Sequence, residues 1–134
     1  MIQSNEDLEG YLHRLERRFE RAEEGTYFVS IGADRPLVAL RIAAPVLVAQ
    51  VDIGLAPVDA AAAAPLFHKL LVLNATALVH AAYGIEGSRI VLSAALALQN
   101  LDLNELEAVL ADLDMALATQ VPTLREFGST KASA

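Results

Sequence analysis

The fold is decided by residues 26–53, which read TYFVSIGADRPLVALRIAAPVLVAQVDI. Residues 26–31, 37–43 and 46–53 form three strand-length runs, separated by the turn-forming GADRP at 32–36 and by Ala44-Pro45. Connections this short join antiparallel neighbours, because a parallel crossover needs a dozen residues or more. The stretch therefore predicts three antiparallel strands.

Polar residues at alternate positions predict which side of these strands faces water. Arg41, Gln50 and Asp52 mark the solvent side of the second and third strands, and Thr26 with Ser30 marks that of the first. The core side then holds Tyr27, Val29, Ile31, Val38, Leu40, Ile42, Leu47, Ala49, Val51 and Ile53. Four large apolar side chains remain on the solvent side: Phe28, Leu37, Val46 and Val48. Such a group on adjoining strands predicts a partner-binding patch.

Working outward, helices and a hairpin surround this centre. The spacing predicts helices over 4–24, 58–74 and 103–121, begun by caps at Ser4, Asp59 and Asp102. Pro65 either kinks the second helix or begins a shorter one there. Residues 76–98 predict a hairpin around a turn at 84–88. The order α-β-β-β-α-β-β-α predicts an α+β fold, a twisted antiparallel sheet with helices packed on one face. We expect one domain over 1–127 and a flexible tail over 128–134.

The second predicted helix is apolar around nearly its whole circumference. Its large side chains are Leu66, Phe67, Leu70, Leu71 and Leu73. A helix of this kind must be covered on more than one side. One small sheet covers only one side, so we expect these residues to form the interface of a homodimer.

Composition excludes several function classes. The chain has 134 residues, 10 basic against 17 acidic, and no cysteine. A net charge of −7 argues against binding nucleic acid or anionic membranes. The N-terminus is acidic and does not resemble a signal peptide. We expect a cytoplasmic protein that does not insert into membranes.

No residue pattern predicts catalysis, a cofactor or a metal site. His13, His68 and His80 do not pair at metal-ligand spacing, and no serine lies in a nucleophile elbow. The arginine row from Arg14 to Arg21 leaves two interpretations open. It is either a solvated face balanced by neighbouring glutamates or a site for phosphate or an acidic peptide.

Three segments and the element order resemble one family. Leu70-Leu71-Val72-Leu73-Asn74, the hairpin with AAYGI at 81–85 and IVL at 90–92, and LDLNEL at 101–106 are similar to the small acidic type III secretion chaperones (Tir chaperone, CesT-like). The resemblance covers residues 4–121. It implies a non-catalytic homodimer without cofactor that binds the N-terminal region of a secreted effector in extended form and keeps it secretion-competent. Phe28, Leu37, Val46 and Val48 would then receive effector side chains, and the second helix would form the dimer interface.

Two other functions remain open at this stage. A protein of the same fold can serve as a regulator, such as an anti-activator that binds another protein. A small enzyme or ligand-binding domain would instead use the sheet face as a pocket.

Overall fold

The computed structural model describes residues 2–22 and 25–124, and the predicted tail over 128–134 lies outside this range. Within these residues, three helices and six strands follow in the order α1 Asn5–Arg14, β1 Phe19–Arg21, β2 Thr26–Val29, β3 Val38–Ala43, β4 Val46–Leu55, α2 Ala60–Thr76, β5 Ala82–Glu86, β6 Arg89–Ala97 and α3 Leu103–Thr119. The strands form one antiparallel sheet in the order β1-β2-β3-β4-β6-β5. The predicted α+β fold is confirmed, with one strand more than expected.

The sheet has an inner face covered by the helices and an outer face without a covering helix among the described residues. Tyr27, Leu40, Ala49 and Ala94 lie in one row across four strands and are all buried. The inner-face residues form a single core with leucines from α1, α2 and α3. The side chains predicted to face the core do so, because the polar residues alternate with them in a regular β period.

The first helix is much shorter than predicted. It ends at Arg14, where the N–H of Glu16 donates to His13 O and that of Arg17 donates to Leu12 O, each at 3.0 Å. This pair of bonds is a Schellman motif, with Glu16 in the left-handed region at φ 57°. The predicted helix over 4–24 is therefore wrong beyond residue 14. The chain then returns as β1, which no sequence pattern had predicted.

Two further boundaries also differ from the prediction. Helix α2 runs through Pro65 without a break, from the Asp59 cap to Thr76. Residues 76–81 are not in the sheet, because the Asp112 side chain of α3 accepts the N–H groups of His80 and Ala81 at 2.8 and 3.1 Å. The hairpin itself is confirmed, but its turn is only Gly87-Ser88. Among the described residues, no helix combines the length and apolarity needed to cross a bilayer.

Candidate functional site

The two edges of the sheet differ in whether their backbone groups are occupied. On β5, the Asn74 side chain of α2 donates to Tyr83 O at 3.1 Å and accepts from Tyr83 N at 2.7 Å. An amide side chain thus takes the place of a neighbouring strand. The Tyr83 ring is buried and its hydroxyl donates to Gln120, and burial, with Asp112 nearby, raises the pKa of Tyr83 to about 12. At Tyr83, the backbone N–H and C=O on this edge are therefore both occupied and cannot pair with another strand.

The β1 edge is open. Ser30 N donates to Arg18 O at 2.9 Å and Ala22 N donates to Thr26 O at 2.8 Å, which makes Glu20 and Phe28 the hydrogen-bonded pair between them. The N–H and C=O groups of Phe19 and Arg21 therefore point away from β2. Among the described residues no strand pairs with that side of β1. A row of free backbone groups is a template for another chain.

A buttress of side chains holds this short edge strand against α1. Arg21 donates to Glu9 through Nε at 2.8 Å and also through Nη2, and Tyr27 Oη donates to Glu9 at 2.7 Å. These bonds, the arginine first, lower the pKa of Glu9 to about 2. The Phe19 ring meets His13 and Tyr27 edge-on, with centroids 5.2 and 5.7 Å apart. Because Glu9 and His13 lie on α1, the strand is fixed from beneath while its outer edge stays free.

An open cleft of about 640 Å³ lies beside β1, and we call it the edge cleft. It is lined by His13, Arg17, Arg18, Phe19, Glu20, Phe28, Ser30 and Leu37. Phe28 is 38% exposed and Leu37 is 48% exposed. Two of the four residues predicted to bind a partner therefore meet in one concave site beside the free edge.

The other two, Val46 and Val48, lie apart from the edge cleft. They are on the outer face of β4 and half-buried, with Val48 opposite Arg41 and Val46 opposite Ala43. The exposed side chain of Arg41 stands between them and Phe28 in the sheet register. The predicted patch is thus two surfaces on one face: the edge cleft and the β4 strip.

The five residues predicted for the dimer interface are also divided. Leu66 and Leu70 are 3% and 4% exposed because they pack into the core of the same chain. Phe67 and Leu73 are half-buried against that core, while Leu71 is 68% exposed. The surface that α2 leaves for a second copy is therefore narrower than expected, and it also includes Val72.

The described residues contain no group of three or more His, Cys, Asp or Glu side chains that could hold a metal ion. His13 lies in the edge cleft, where its ring contacts Phe19. The site offers backbone hydrogen-bonding groups, aromatic and aliphatic surface, and arginine side chains. These are groups that bind a polypeptide.

Sequence reasoning missed the part of the cleft that comes from residues 13–20. Leu15, Phe19 and Ala22 continue the spacing of the true helix, so the periodicity gave no sign of the helix end. The motif that ends α1 uses glutamate at the position where glycine is the usual signal. Phe19 is the one apolar residue of 18–21 and is flanked by charged residues, a pattern too short to distinguish a strand from a helix.

Comparison with known protein families and solved structures identifies the family and the fold of this chain. The CesT_Tir_1 family model matches residues 1–130. The chain belongs to the CesT_Tir_1 family. This is a family of non-catalytic type III secretion chaperones, so the resemblance inferred from the sequence is confirmed. Among proteins with curated functions, none matches the sequence significantly.

Solved structures share the fold at low sequence identity. A chain of the heterodimeric ExoU–SpcU complex from the type III secretion system of Pseudomonas aeruginosa superposes with a TM-score of 0.67 and 19% identity, covering 84% of this chain and 93% of that one. The Yersinia pestis type III secretion chaperone SycH, solved with a fragment of YscM2, superposes with a TM-score of 0.61 and 20% identity, covering 87% of this chain and 98% of that one. YbjN, a putative transcription regulator from E. coli, superposes with a TM-score of 0.67 and 12% identity, covering 87% of this chain and 90% of that one. At these identities the likeness shows the fold alone.

Proposed function

We propose that this CesT_Tir_1 protein is a chaperone that binds the N-terminal region of a secreted effector in extended form and keeps it secretion-competent. The observation that carries the proposal is the open β1 edge beside the edge cleft, on a sheet whose other edge is occupied at Tyr83 by Asn74. Structures of the same fold include the HopA1–SchA chaperone–effector complex and the type III secretion chaperone SycH bound to a fragment of YscM2, which supports the same role here.

The geometry suits a chain that is not folded when it binds. An extended segment pairing with Phe19 and Arg21 gains main-chain hydrogen bonds that do not depend on its sequence. Its alternate side chains can then enter the edge cleft against Phe28 and Leu37, which supply selectivity for apolar residues. The β4 strip at Val46 and Val48 lies on the same face beyond Arg41 and offers a second, separate apolar contact for a longer segment.

We also propose that the protein is a homodimer formed through the exposed side of α2. Leu71 and Val72 are exposed there and Phe67 and Leu73 are half-buried, which leaves an apolar helix face that a second copy would cover. Two copies would present two edge clefts, so one extended segment could contact both.

A binding experiment on the full chain tests the proposed function. Secreted proteins encoded beside its gene are co-expressed with it, and the N-terminal segment of each is tested for co-purification. Phe28→Asp and Leu37→Asp should abolish co-purification, because each places a charge in the edge cleft. Val79→Asp is the matched control, since Val79 is exposed and outside the cleft. Equal binding by all three variants would place the effector elsewhere.

The regulatory alternative has one supporting observation, the fold likeness to YbjN. The same experiment separates the two functions by the nature of the partner. A chaperone co-purifies with the N-terminal segment of a secreted protein, whereas an anti-activator co-purifies with a regulator that is not secreted.

A further inference from the structure

The charge of the edge cleft is opposite to that of the molecule. The chain has a net charge of −7, yet the charged residues that line the cleft are two arginines, Arg17 and Arg18, and a single carboxylate, Glu20. This concentration of positive charge lies beside the free edge where the proposed effector segment would pair.

The cleft arginines have no carboxylate partner within the described residues. The arginines that form ion pairs among the described residues are Arg21, Arg35 and Arg89, and none of them lines the edge cleft. Arg17 donates through Nη1 to Ile31 O at 3.3 Å, a contact that leaves most of its five N–H groups available. Arg18 is exposed, and its backbone rather than its side chain bonds to β2.

For Arg17 and Arg18, the structure removes the interpretation of a helix face balanced by glutamates, although Arg21 of the same row does pair with Glu9. That interpretation needed a helix over 4–24, on which glutamates would flank the arginines one turn away. The helix ends at Arg14, and Arg17 and Arg18 lie in the extended connection that leads into β1. They are instead gathered around an apolar cleft, where a guanidinium group recognises a carboxylate by a charge-assisted, often bidentate, hydrogen bond.

We infer that the edge cleft selects extended segments in which apolar residues are accompanied by aspartate or glutamate. One apolar side chain lies against Phe28 and Leu37 while a carboxylate meets Arg17 and Arg18. The inference rests on the proposed function and adds the chemistry of the segment. It also predicts that binding weakens with salt, because exposed charge contacts are screened.

A library of random peptides displayed on phage and selected on the immobilised full-length protein tests the inference. The wild type should enrich peptides that combine apolar and acidic residues. A variant carrying Arg17→Gln and Arg18→Gln should enrich apolar peptides without the acidic excess. A variant carrying Lys69→Gln and Arg89→Gln changes the net charge equally outside the cleft and should select like the wild type.

The strongest wild-type peptide is then synthesised with its acidic residues intact or replaced by the corresponding amides. Fluorescence anisotropy should show binding about tenfold weaker for the amide peptide, and a similar loss for the Arg17→Gln, Arg18→Gln variant with the acidic peptide. Equal affinities for both peptides would overturn the inference while leaving the proposed function standing, provided that Phe28→Asp still abolishes binding. If Phe28→Asp leaves binding intact, the segment does not use the edge cleft, and both proposals fail.

Discussion

Asn74 acts on the sheet as a substitute for a strand residue. Its amide both donates to and accepts from Tyr83, the backbone position of β5 that points away from β6. The Asp112 carboxylate accepts from the N–H groups of His80 and Ala81 just before the strand. Two side chains from helices therefore occupy the N–H of Ala81 and both backbone groups of Tyr83, which a foreign strand would otherwise use.

The first prediction concerns this cap. Asn74→Ala should lower the free energy of unfolding by about 1–3 kcal/mol, because the half-buried N–H and C=O of Tyr83 lose their partner. Urea denaturation followed by circular dichroism measures the change. Thr76→Ala is the control: its hydroxyl bonds to Val72 O on the exposed side of the same helix, and its loss should cost less than about 0.5 kcal/mol. Equal costs for the two variants would show that the Asn74 bonds contribute no special stability.

The second prediction concerns Glu9, whose pKa is about 2 in the folded chain against an ordinary 4.5. A lowered pKa stabilises the fold while the carboxylate is charged, so this contribution is complete above about pH 4.5 and is lost as pH falls towards 2. The difference in melting temperature between the wild type and Glu9→Gln should therefore be constant near neutral pH and shrink in acid. Thermal melts from pH 7 to pH 2 measure it.

Tyr27→Phe provides the matched control for that experiment. It removes one of the two donors to Glu9 and leaves Arg21, the larger cause of the lowered pKa. The acid loss of stability should then be smaller than in the wild type and be complete at a higher pH, because the folded-state pKa of Glu9 lies closer to its ordinary value. A difference that does not change with pH would show that the buttress acts through packing alone.

At the scale of elements, sequence periodicity predicted the strands whose two faces are marked by alternating polar and apolar residues. Strands β2, β3 and β4 were recovered with their faces, because Arg41, Gln50 and Asp52 fall on one side in a period of two. The caps at Asp59 and Asp102 were also correct, since each accepts the backbone N–H three residues on.

What sequence reasoning missed depends on contacts between distant residues. Phe19 fits a helix stripe and a strand equally well, and its place in β1 is fixed by pairing with Val29 ten residues away. The start of β5 is set by Asp112 on α3. Two of the eight residues that line the edge cleft, Phe28 and Leu37, were predicted to bind a partner because they face outward by alternation, while the cleft around them needed β1.

The third prediction is that backbone N–H groups on the free edge of β1 exchange their hydrogens with solvent faster than those bonded to β2. In the hydrogen-bonding pattern of this ladder, the N–H of Glu20 bonds to β2, while those of Phe19 and Arg21 point outward. Exchange followed by NMR should therefore be faster at Phe19 and Arg21 than at Glu20, and slow at Tyr83. Binding of an effector segment should slow Phe19 and Arg21 selectively. Uniform rates along β1 in the free protein would show that this edge is covered.

At the scale of the molecule, the apolar surface is unevenly distributed. The core of the described residues forms within one chain, with large buried side chains from all three helices. Outside it, exposed large apolar residues occur on α2 and at the edge cleft, as for Leu71, Val72, Phe28 and Leu37, and others are scattered over the described surface: Leu55, Val58, Val79, Ile85 and Met115. A single copy is thus a folded unit, and the proposals for a dimer and for an effector address the surface that this unit leaves uncovered.

The fourth prediction uses two neighbouring leucines of α2 to separate dimerisation from folding. Leu71→Asp should yield a folded monomer, because its side chain lies outside the core, whereas Leu70→Asp should abolish folding, because it places a charge inside it. Light scattering gives the mass, with 14.3 kDa expected for the Leu71 variant and twice that for the wild type. Because dimerisation stabilises by mass action, the melting temperature of the wild type should rise with protein concentration and that of Leu71→Asp should not. A wild type that weighs 14.3 kDa, or a Leu71 variant that stays dimeric, would mean that this face of α2 does not join two copies.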